Sequence, residues 1–519
     1  MIRNLAALIL LALFPVVGAA QKITVKDTLC RTYPFSDPDP VPRTSGVYPY
    51  HRYETFAFEP EDVTWKMVVL ENDYLRVKIF PEIGGKIWSV YDKTSGNEMF
   101  YDNDVVKFRE IALRGPWTSG GIEFNYGVIG HAPSCAHPVD YKTEYKEDGS
   151  VSCYIGVMEL LTRTRWMVEI NLPADAVWVR TRSFWHNSSG TFQPYYTWAN
   201  SATEVSPEMK LLYPAQYSIG HDGRISGYPV DESGRDLSEY AMQDFGLDKS
   251  LHPGGSHKNW FGVYWPEKDF GMLHYALRDE KIGRKYFSWT QSDQGEIWVE
   301  LLTDTRPQYV ELQSGRLFNQ NLWESVGTPY KQTLFTPYGT DEWNEYWLPF
   351  AGIGDDVDML TLDAAVNVDD RGAGINVGIY PLKALSGRLE LRDSSGHVLA
   401  GREISLAPAH PAVEKFDTDG MDGLAEIMLG GKRLWSKDRQ DIGRPETVNK
   451  DFSLDSAYGL AVYGKYLIGM RKYADAEWRI DKAIGLDPSL VPALNLKALL
   501  CLRKTDYAMA CEYADRVLS

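Results

Sequence analysis

Hydrophobic and polar residues alternate in short stretches over most of the chain, a pattern typical of half-buried β-strands. Such stretches follow one another through residues 65–350, with Gly, Pro, Asn and Asp between them and no long amphipathic helix among them. In residues 305–320, Val310 and Leu312 fall on one face of the predicted strand. Tyr309, Glu311 and Gln313 fall on the other face. We therefore predict two large antiparallel sheets packed face to face.

The polar face of this strand has two interpretations. A carboxylate between an aromatic ring and an amide is either the outward face of a surface strand or the floor of a polar binding site. The Val-Glu-Leu-Gln step of residues 310–313 is similar to the Leu-Glu-Thr-Gln step of galactose mutarotase-like proteins, in which the glutamate is the catalytic base. The resemblance implies that Glu311 takes part in catalysis, with Gln313 beside the substrate.

Two more segments carry the same resemblance, in the order in which that family has them. Residues 70–101, with a turn at Gly84 and Gly85, resemble the opening of mutarotase-like domains. Residues 197–207 resemble their Asn-rich strand, although Ser201 stands where that family has a histidine. The resemblance covers residues 70–344 and implies a galactose mutarotase-like supersandwich of antiparallel sheets.

The rest of the chain changes character twice. Residues 358–406 keep the alternation but lack tryptophan, which predicts a small immunoglobulin-like β-sandwich within residues 351–440. In residues 450–519, Gly464 and Ala498, and Tyr473 and Tyr507, are each thirty-four residues apart, the period of tetratricopeptide repeats. We expect this helical tail to pack on the chain's own β domains or to offer a surface to a protein partner. The order of these parts resembles an uncharacterised family of exported bacterial proteins.

The ends and the composition restrict the function further. Arg3, an apolar run and small residues before Gln21 predict a signal peptide over residues 1–20, cleaved near Ala20, and a periplasmic or secreted protein with no membrane span. Residues 21–350 then form the large sandwich. The formal charge of −17 argues against nucleic acid as a partner. Of the five cysteines, Cys135 and Cys153 are candidates for a disulfide.

Most candidate site residues lie in one glycine-rich loop, residues 114–137. Glycines let a backbone approach a ligand closely, and acidic and imidazole groups supply proton transfer. We predict Glu123 and His131 to be catalytic together with Glu311, and we predict substrate contacts from Arg114, Trp117, Asn125, Tyr126 and His137. The spacing of these side chains fits no zinc signature, so we predict neither metal nor cofactor.

A second set of candidates is spread along the chain. Asn200 and Glu204 belong to the Asn-rich segment, His257 and Trp260 lead into a later strand, and Arg316 follows the Glu311 strand. Arg316 is expected to pair with an acidic substrate or with Asp304. For each of these residues a purely structural role is the competing interpretation.

Three functions agree with these residues, and each takes a carbohydrate as its ligand. A glycoside hydrolase needs two carboxylic groups, which Glu311 and Glu123 supply, and it is the function that we favour. A glycan-binding protein would use the aromatic side chains without turnover. The third is another chemistry of the same fold, either an aldose epimerase with one carboxylate and one histidine or a polysaccharide lyase.

Overall fold

The structure of the chain, a computed structural model, describes residues 21–41, 51–53, 55–110, 115–128, 130–159, 162–221, 224–317, 334–370, 374–417, 423–438, 441–442 and 453–519. The predicted signal peptide, residues 1–20, and the predicted substrate contact Arg114 lie outside these ranges.

The described residues between 21 and 351 form mostly strands. In chain order the elements are β1 Lys22–Tyr33, β2 Glu61–Glu71, β3 Leu75–Phe80, β4 Lys86–Asp92, β5 Asn97–Glu98, β6 Val106–Lys107, β7 Ile122–Gly127, β8 Asp140–Tyr145, β9 Val151–Glu159, β10 Thr164–Leu172, β11 Val179–Asn187, β12 Gln193–Pro194, β13 Tyr196–Glu204, β14 Lys210–Leu212, β15 Tyr217–Ile219, β16 Ile225–Gly227, β17 Lys249–Gly254, β18 Trp260–Trp265, β19 Phe270–Tyr275, β20 Gly283–Ser288, helix α1 Asp293–Leu302, β21 Tyr309–Gly315, β22 Leu334–Phe335 and β23 Thr340–Ala351.

These strands make two large sheets. The larger has the order β16-β15-β17-β20-β21-β13-β7-β4-β3-β2-β1-β6, with β5 paired to β4. The second has the order β14-β18-β19-β23-β11-β10-β9-β8. Pairing is antiparallel except between β1 and β6. The hydrophobic core includes Val68, Leu70, Phe124, Val310 and Leu312 from the larger sheet and Trp166, Val168 and Trp347 from the second.

A small sandwich follows the large one. Its strands are β24 Met359–Leu360, β25 Ala364–Asp369, β26 Gly374–Pro381, β27 Leu385–Asp393, β28 Val398–Leu406, β29 Ala412–Asp417, β30 Leu424–Leu429 and β31 Lys432–Ser436. They form two four-stranded sheets, β24-β25-β26-β29 and β28-β27-β30-β31. A separate core, which includes Val366, Val377 and Leu389, lies between them.

The tail consists of helices α2 Ala457–Gly469, α3 Tyr473–Leu486, α4 Val491–Arg503 and α5 Tyr507–Leu518. The Ser456 side chain accepts a hydrogen bond from the Gly459 amide and so caps α2. Helices α2 and α3 cross at Gly464, where an added Cβ would come within 2.6 Å of the Ile480 side chain. The tail packs against the large sandwich, with Met470 on Val128 and Tyr196.

The predicted fold class is confirmed: the chain is mainly β, with a large sandwich of antiparallel sheets, a small sandwich and a helical tail. The proposed disulfide is wrong. All five cysteines are free thiols, because Cys135 packs on the outer face of the larger sheet while Cys153 is in the core between the sheets. In the tail, Cys501 is buried and Cys511 is exposed. None of the described helices is long and apolar enough to cross a bilayer.

Candidate functional site

A row of polar side chains crosses four neighbouring strands of the larger sheet. Glu123 of β7 is paired with Asn200 of β13, Asn200 with Gln313 of β21, and Gln313 with Lys285 of β20. Glu311 is on the same face of β21, two residues from Gln313. These five side chains are at most 5% exposed. The outer face of this sheet, opposite the hydrophobic core, therefore carries a buried polar cluster, which we call the polar row.

The Gly84 turn holds the loop of residues 130–137 against this face. Gly84 has φ +66°, which favours glycine, and its amide donates to the carbonyl of His137 over 2.9 Å. A Cβ added here would come within 2.7 Å of backbone atoms of Ser134 and Cys135. This close approach is open to glycine alone, and it fixes the loop that carries His131.

Glu123 is surrounded by donors. Trp117 Nε1 donates to Oε2 over 2.6 Å and Asn125 Nδ2 donates to Oε1 over 3.0 Å. Lys86 Nζ is 3.7 Å from Oε2. Burial alone raises the pKa of this carboxyl, but the charge and hydrogen bond of His131, helped by Lys86, outweigh burial and lower the pKa to about 2. Glu123 is therefore ionised at neutral pH, with both oxygens engaged.

His131 is held in one orientation over the polar row. Its Nδ1 forms a hydrogen bond with Glu123 Oε1, and its ring lies between two indoles. The ring centroids are 5.3 Å from Trp117 and 4.9 Å from Trp198. When Nδ1–H donates to the carboxylate, Nε2 is left to exchange a proton with a ligand. The Glu123–His131 arrangement is that of a carboxylate orienting a catalytic imidazole.

The pKa of Glu311 is displaced in the direction opposite to that of Glu123. Gln313 Nε2 donates to its Oε2 over 2.9 Å. Burial raises the pKa of Glu311, and the negative charge of Glu123 raises it further, against the opposing charges of His131 and Lys285. The two carboxyls thus have pKa values displaced in opposite directions. Such a separation is how enzymes divide acid and base roles between two like groups.

Two lysines complete the charged groups on this face. Lys86 and Lys285 are 2% and 5% exposed. Burial lowers the pKa of Lys86, and it lowers the pKa of Lys285 to about 8, with Glu311 opposing that shift. Lys86 Nζ also donates to the Thr118 carbonyl over 2.5 Å. The polar row therefore has cations at both sides, one near each glutamate.

The side chain of Asn200 indicates that a polar ligand binds at the polar row. Its Oδ1 is buried and has no hydrogen-bond partner among the described residues. An unsatisfied buried acceptor costs about 1–3 kcal/mol. Glu123 and Gln313 are the neighbours of Asn200 in the polar row. A hydroxyl group of a ligand bound between them would donate a hydrogen bond to Asn200 Oδ1.

Several predicted site residues lie elsewhere, and these assignments need correction. Tyr126 points into the core, where its ring stacks on Trp166 at 5.0 Å and its hydroxyl donates to Ser183 over 3.0 Å. The reason is that residues 122–127 form a strand, so Glu123 and Asn125 face the polar row while Tyr126 faces inward. Arg316 pairs with Asp341 at 2.6 Å, neither with Asp304 nor at the polar row.

The other predicted contacts are farther along the sandwich. Glu204, at the end of β13, pairs with Arg306 at 3.5 Å. His137 packs beside Phe35, with ring centroids 5.9 Å apart. Trp260 is in the second sheet and His257 is exposed three residues before it. None of these four positions belongs to the polar row.

A cavity of about 600 Å³ lies at a different place, between the large and small sandwiches. It is lined by Trp260 and by charged side chains that include Lys210, Lys258, Asp355 and Asp358. Lys210 already pairs with Asp355 at 2.8 Å. The polar row is the candidate site despite this larger space, because the two carboxyls with oppositely displaced pKa values and the oriented imidazole are found there. Within the described ranges, no three His, Cys, Asp or Glu side chains are grouped to hold a metal ion.

Fold and site together define a class: an antiparallel supersandwich whose outer face carries a carboxylate–imidazole cluster, followed by a helical-repeat tail. The chain belongs to the family described as Domain of unknown function (DUF5107), whose model matches residues 42–350. It is similar to the crystal structure of a TPR-domain containing protein from Parabacteroides distasonis ATCC 8503, with a TM-score of 0.59, 21% identity, and coverage of 96% of this chain and 80% of that one.

Two further solved structures are similar to part of the chain. A galactose mutarotase-like protein from Lactobacillus casei ATCC 334 has a TM-score of 0.38 and 11% identity, over 55% of this chain and 99% of that one. A putative aldose 1-epimerase from Escherichia coli K12 has a TM-score of 0.39 and 9% identity, over 55% of this chain and 99% of that one.

The sequence did not single out three residues of the site. Lys86, Lys285 and Trp198 each occupy the outward position of an alternating strand. For the two lysines the available signal is a charged residue on the outward face of a strand, and both side chains are buried. A buried lysine requires a partner or a shifted pKa, so this pattern is informative once the strand is recognised.

Proposed function

We propose that this protein is an exported carbohydrate-active enzyme that cleaves a glycosidic bond by acid–base catalysis at the polar row. In this proposal Glu311 gives its proton to the leaving oxygen, and His131, oriented by Glu123, takes a proton from the attacking water. The observation that carries the proposal is the opposite displacement of the two carboxyl pKa values beside an oriented imidazole. Export rests on the sequence of residues 1–20.

We propose the inverting form of this reaction. Retention needs a second carboxylate that attacks the sugar, about 5 Å from the acid. Both oxygens of Glu123 are already engaged by Trp117, Asn125 and His131. The nucleophile in this proposal is therefore the water molecule whose proton His131 takes.

Epimerisation of an aldose is a second candidate, and one observation favours it. Both oxygens of Glu123 are already engaged by Trp117, Asn125 and His131. One free carboxyl, Glu311, and one imidazole then remain for proton transfer, which is the set that ring opening and closure at the anomeric carbon requires.

One NMR experiment separates these functions. The mature protein is incubated with a panel of oligosaccharides and aldoses while the anomeric proton signals are followed. New reducing ends would support hydrolysis, and faster exchange between the two anomers would support epimerisation. Glu311→Gln and His131→Gln should each slow the reaction at least about 100-fold, while Glu403→Gln, an exposed carboxyl of the small sandwich, should not. No change in any anomeric signal with the parent protein would refute catalysis, and glycan binding without turnover would then support a binding protein.

A further inference from the structure

The turn between α2 and α3 lies at one end of the polar face. Met470, directly after α2, packs with Val128 and Tyr196. Tyr196 opens β13 and shares its face with Trp198 and Asn200, because side chains on a strand alternate. The turn is therefore on the same side of the sheet as the polar row, roughly 13 Å along β13 from Asn200. The helical tail forms an end wall beside the candidate site.

Two arginines and a tyrosine lie in this wall. We call Arg471 and Arg503 the arginine pair, and Tyr473 lies beside them. The Arg503 guanidinium carbon is 5.1 Å from the centroid of the Tyr473 ring. Arg503 also donates through Nη2 to the Phe192 carbonyl, which ties α4 to the large sandwich. Burial lowers the pKa of Arg503, and the positive charge of Arg471 lowers it further, against Tyr473. Arg471 is two residues before Tyr473, whose ring Arg503 contacts, so the turn brings the two arginines to the same end of the tail.

Three polar atoms of this group have no hydrogen-bond partner among the described residues. Arg471 Nη1, Arg503 Nε and the Tyr473 hydroxyl are buried atoms with no hydrogen-bond partner in the described part of the chain. Neither arginine has a carboxylate partner among the described ion pairs. Two like charges brought together with unsatisfied donors are unfavourable unless an anion accepts from both.

We infer that the arginine pair binds an oxyanion, a carboxylate or a sulfate, carried by the glycan whose reacting bond lies at the polar row. This inference rests on the proposed function and adds the substrate class: an acidic oligosaccharide whose charged group is beyond the reacting sugar. The distance of roughly 13 Å along β13 requires more than one sugar ring between the two points. The net charge of the whole chain, −17, disfavours nonspecific binding of such a substrate, so the contact depends on these local cations.

Arg471 offers a substitution that preserves the fold. Its φ is +60°, a conformation that glycine adopts more easily than arginine, so Arg471→Gly removes the guanidinium without straining the turn. Tyr473→Phe removes only a hydroxyl that has no partner. Lys465→Gln, at an exposed position of α2, is the matched control for loss of one positive charge.

The test uses the mature full-length protein on an array of neutral, uronate-containing and sulfated oligosaccharides, followed by calorimetric titration of the strongest binders. We expect the bound glycans to be acidic, and the uronate and sulfate members of the array to show which oxyanion is preferred. Arg471→Gly should weaken binding at least about tenfold, Tyr473→Phe should weaken it less, and Lys465→Gln should leave it unchanged.

The other outcomes separate the failure of this inference from the failure of the catalytic proposal. Equal binding of neutral and acidic glycans, or unchanged affinity of Arg471→Gly for the acidic ones, rejects the arginine pair as the anion site while leaving the catalytic proposal intact. Binding that depends on Arg471, together with Glu311→Gln turning over as fast as the parent, rejects the catalytic proposal but keeps the anion site. Absence of binding to every glycan rejects both.

Discussion

Glu123→Gln tests the electrostatics of the site most directly. The folded protein holds the pKa of Glu123 at about 2, against an ordinary value of 4.5. Because the folded pKa is the lower one, the ionised carboxylate stabilises the fold above pH 4.5, and this contribution disappears as the pH falls towards 2. The displacement corresponds to about 3 kcal/mol at neutral pH. Glutamine has the same shape but cannot ionise, so the variant loses this contribution and leaves Lys86 without its nearest carboxylate.

The measurement is denaturant unfolding followed by tryptophan fluorescence at pH 7, 4 and 2.5. Trp117 and Trp198 are close to His131 and report on the site. We expect Glu123→Gln to lower the free energy of unfolding by about 3 kcal/mol at pH 7 and by much less at pH 2.5. Glu403→Gln, in the small sandwich, is the control and should change little at any pH. A loss that is the same at pH 7 and pH 2.5, or no loss at all, would refute the assignment of an ionised Glu123.

Three further predictions use matched substitutions. Gly234→Ala should destabilise the sandwich by roughly 1 kcal/mol, because Gly234 has a φ of +80° but open space around it. Gly84→Ala should cost more, because its added Cβ would also meet the backbone of Ser134 and Cys135. Thermal unfolding of the two variants measures the difference. Glu345→Gln should lower unfolding free energy by roughly 3–5 kcal/mol, because Glu345 is buried, whereas exposed Glu342→Gln should cost at most about 1 kcal/mol in the same assay. Arg471→Gly should keep or raise the melting temperature, and a fall of several degrees would contradict the assigned backbone conformation.

The alternation of side chains was enough to predict the polar face of β21. Val310 and Leu312 are in the core, and Glu311 and Gln313 are on the other face, as a period of two requires. The fold class follows from the same signal repeated over residues 65–350, because each strand buries one face against the opposite sheet. The helical tail was predictable for a similar reason, since its small residues recur at the thirty-four-residue period.

The orientation of the β7 residues could not be obtained in this way. The glycine content of residues 114–137 predicts a loop, whereas residues 122–127 form a strand in the structure. A predicted loop does not indicate which face of a sheet each side chain occupies. The sequence therefore assigns both Asn125 and Tyr126 to the substrate, although they lie on opposite faces of β7. Glu123 lies on the outer face of β7, and its hydrogen bonds with Trp117 and Asn125 depend on contacts that only the folded chain defines.

Long-range ion pairs were also beyond the sequence. Arg316 pairs with Asp341 because β23 returns beside that edge of the sandwich, twenty-five residues later. Glu345 lies in the core with His274 at 3.0 Å and Lys281 at 3.3 Å. The pairing of such charges follows from strand order in the second sheet, and strand order is not encoded in local alternation.

The distribution of charge links the candidate site with the tail. The chain as a whole is strongly acidic, yet Lys86 and Lys285 are buried beside the polar row and Arg471 and Arg503 are at its end. Of the two carboxyls that face these lysines, Glu123 has its pKa lowered to about 2, whereas burial raises the pKa of Glu311. Basic side chains are thus concentrated at this face of a chain whose formal charge is −17. Arg471 and Arg503 have no carboxylate partner among the described ion pairs, and a buried cation is unfavourable without a compensating charge. An acidic glycan that reaches from the polar row to the helical tail would provide that charge.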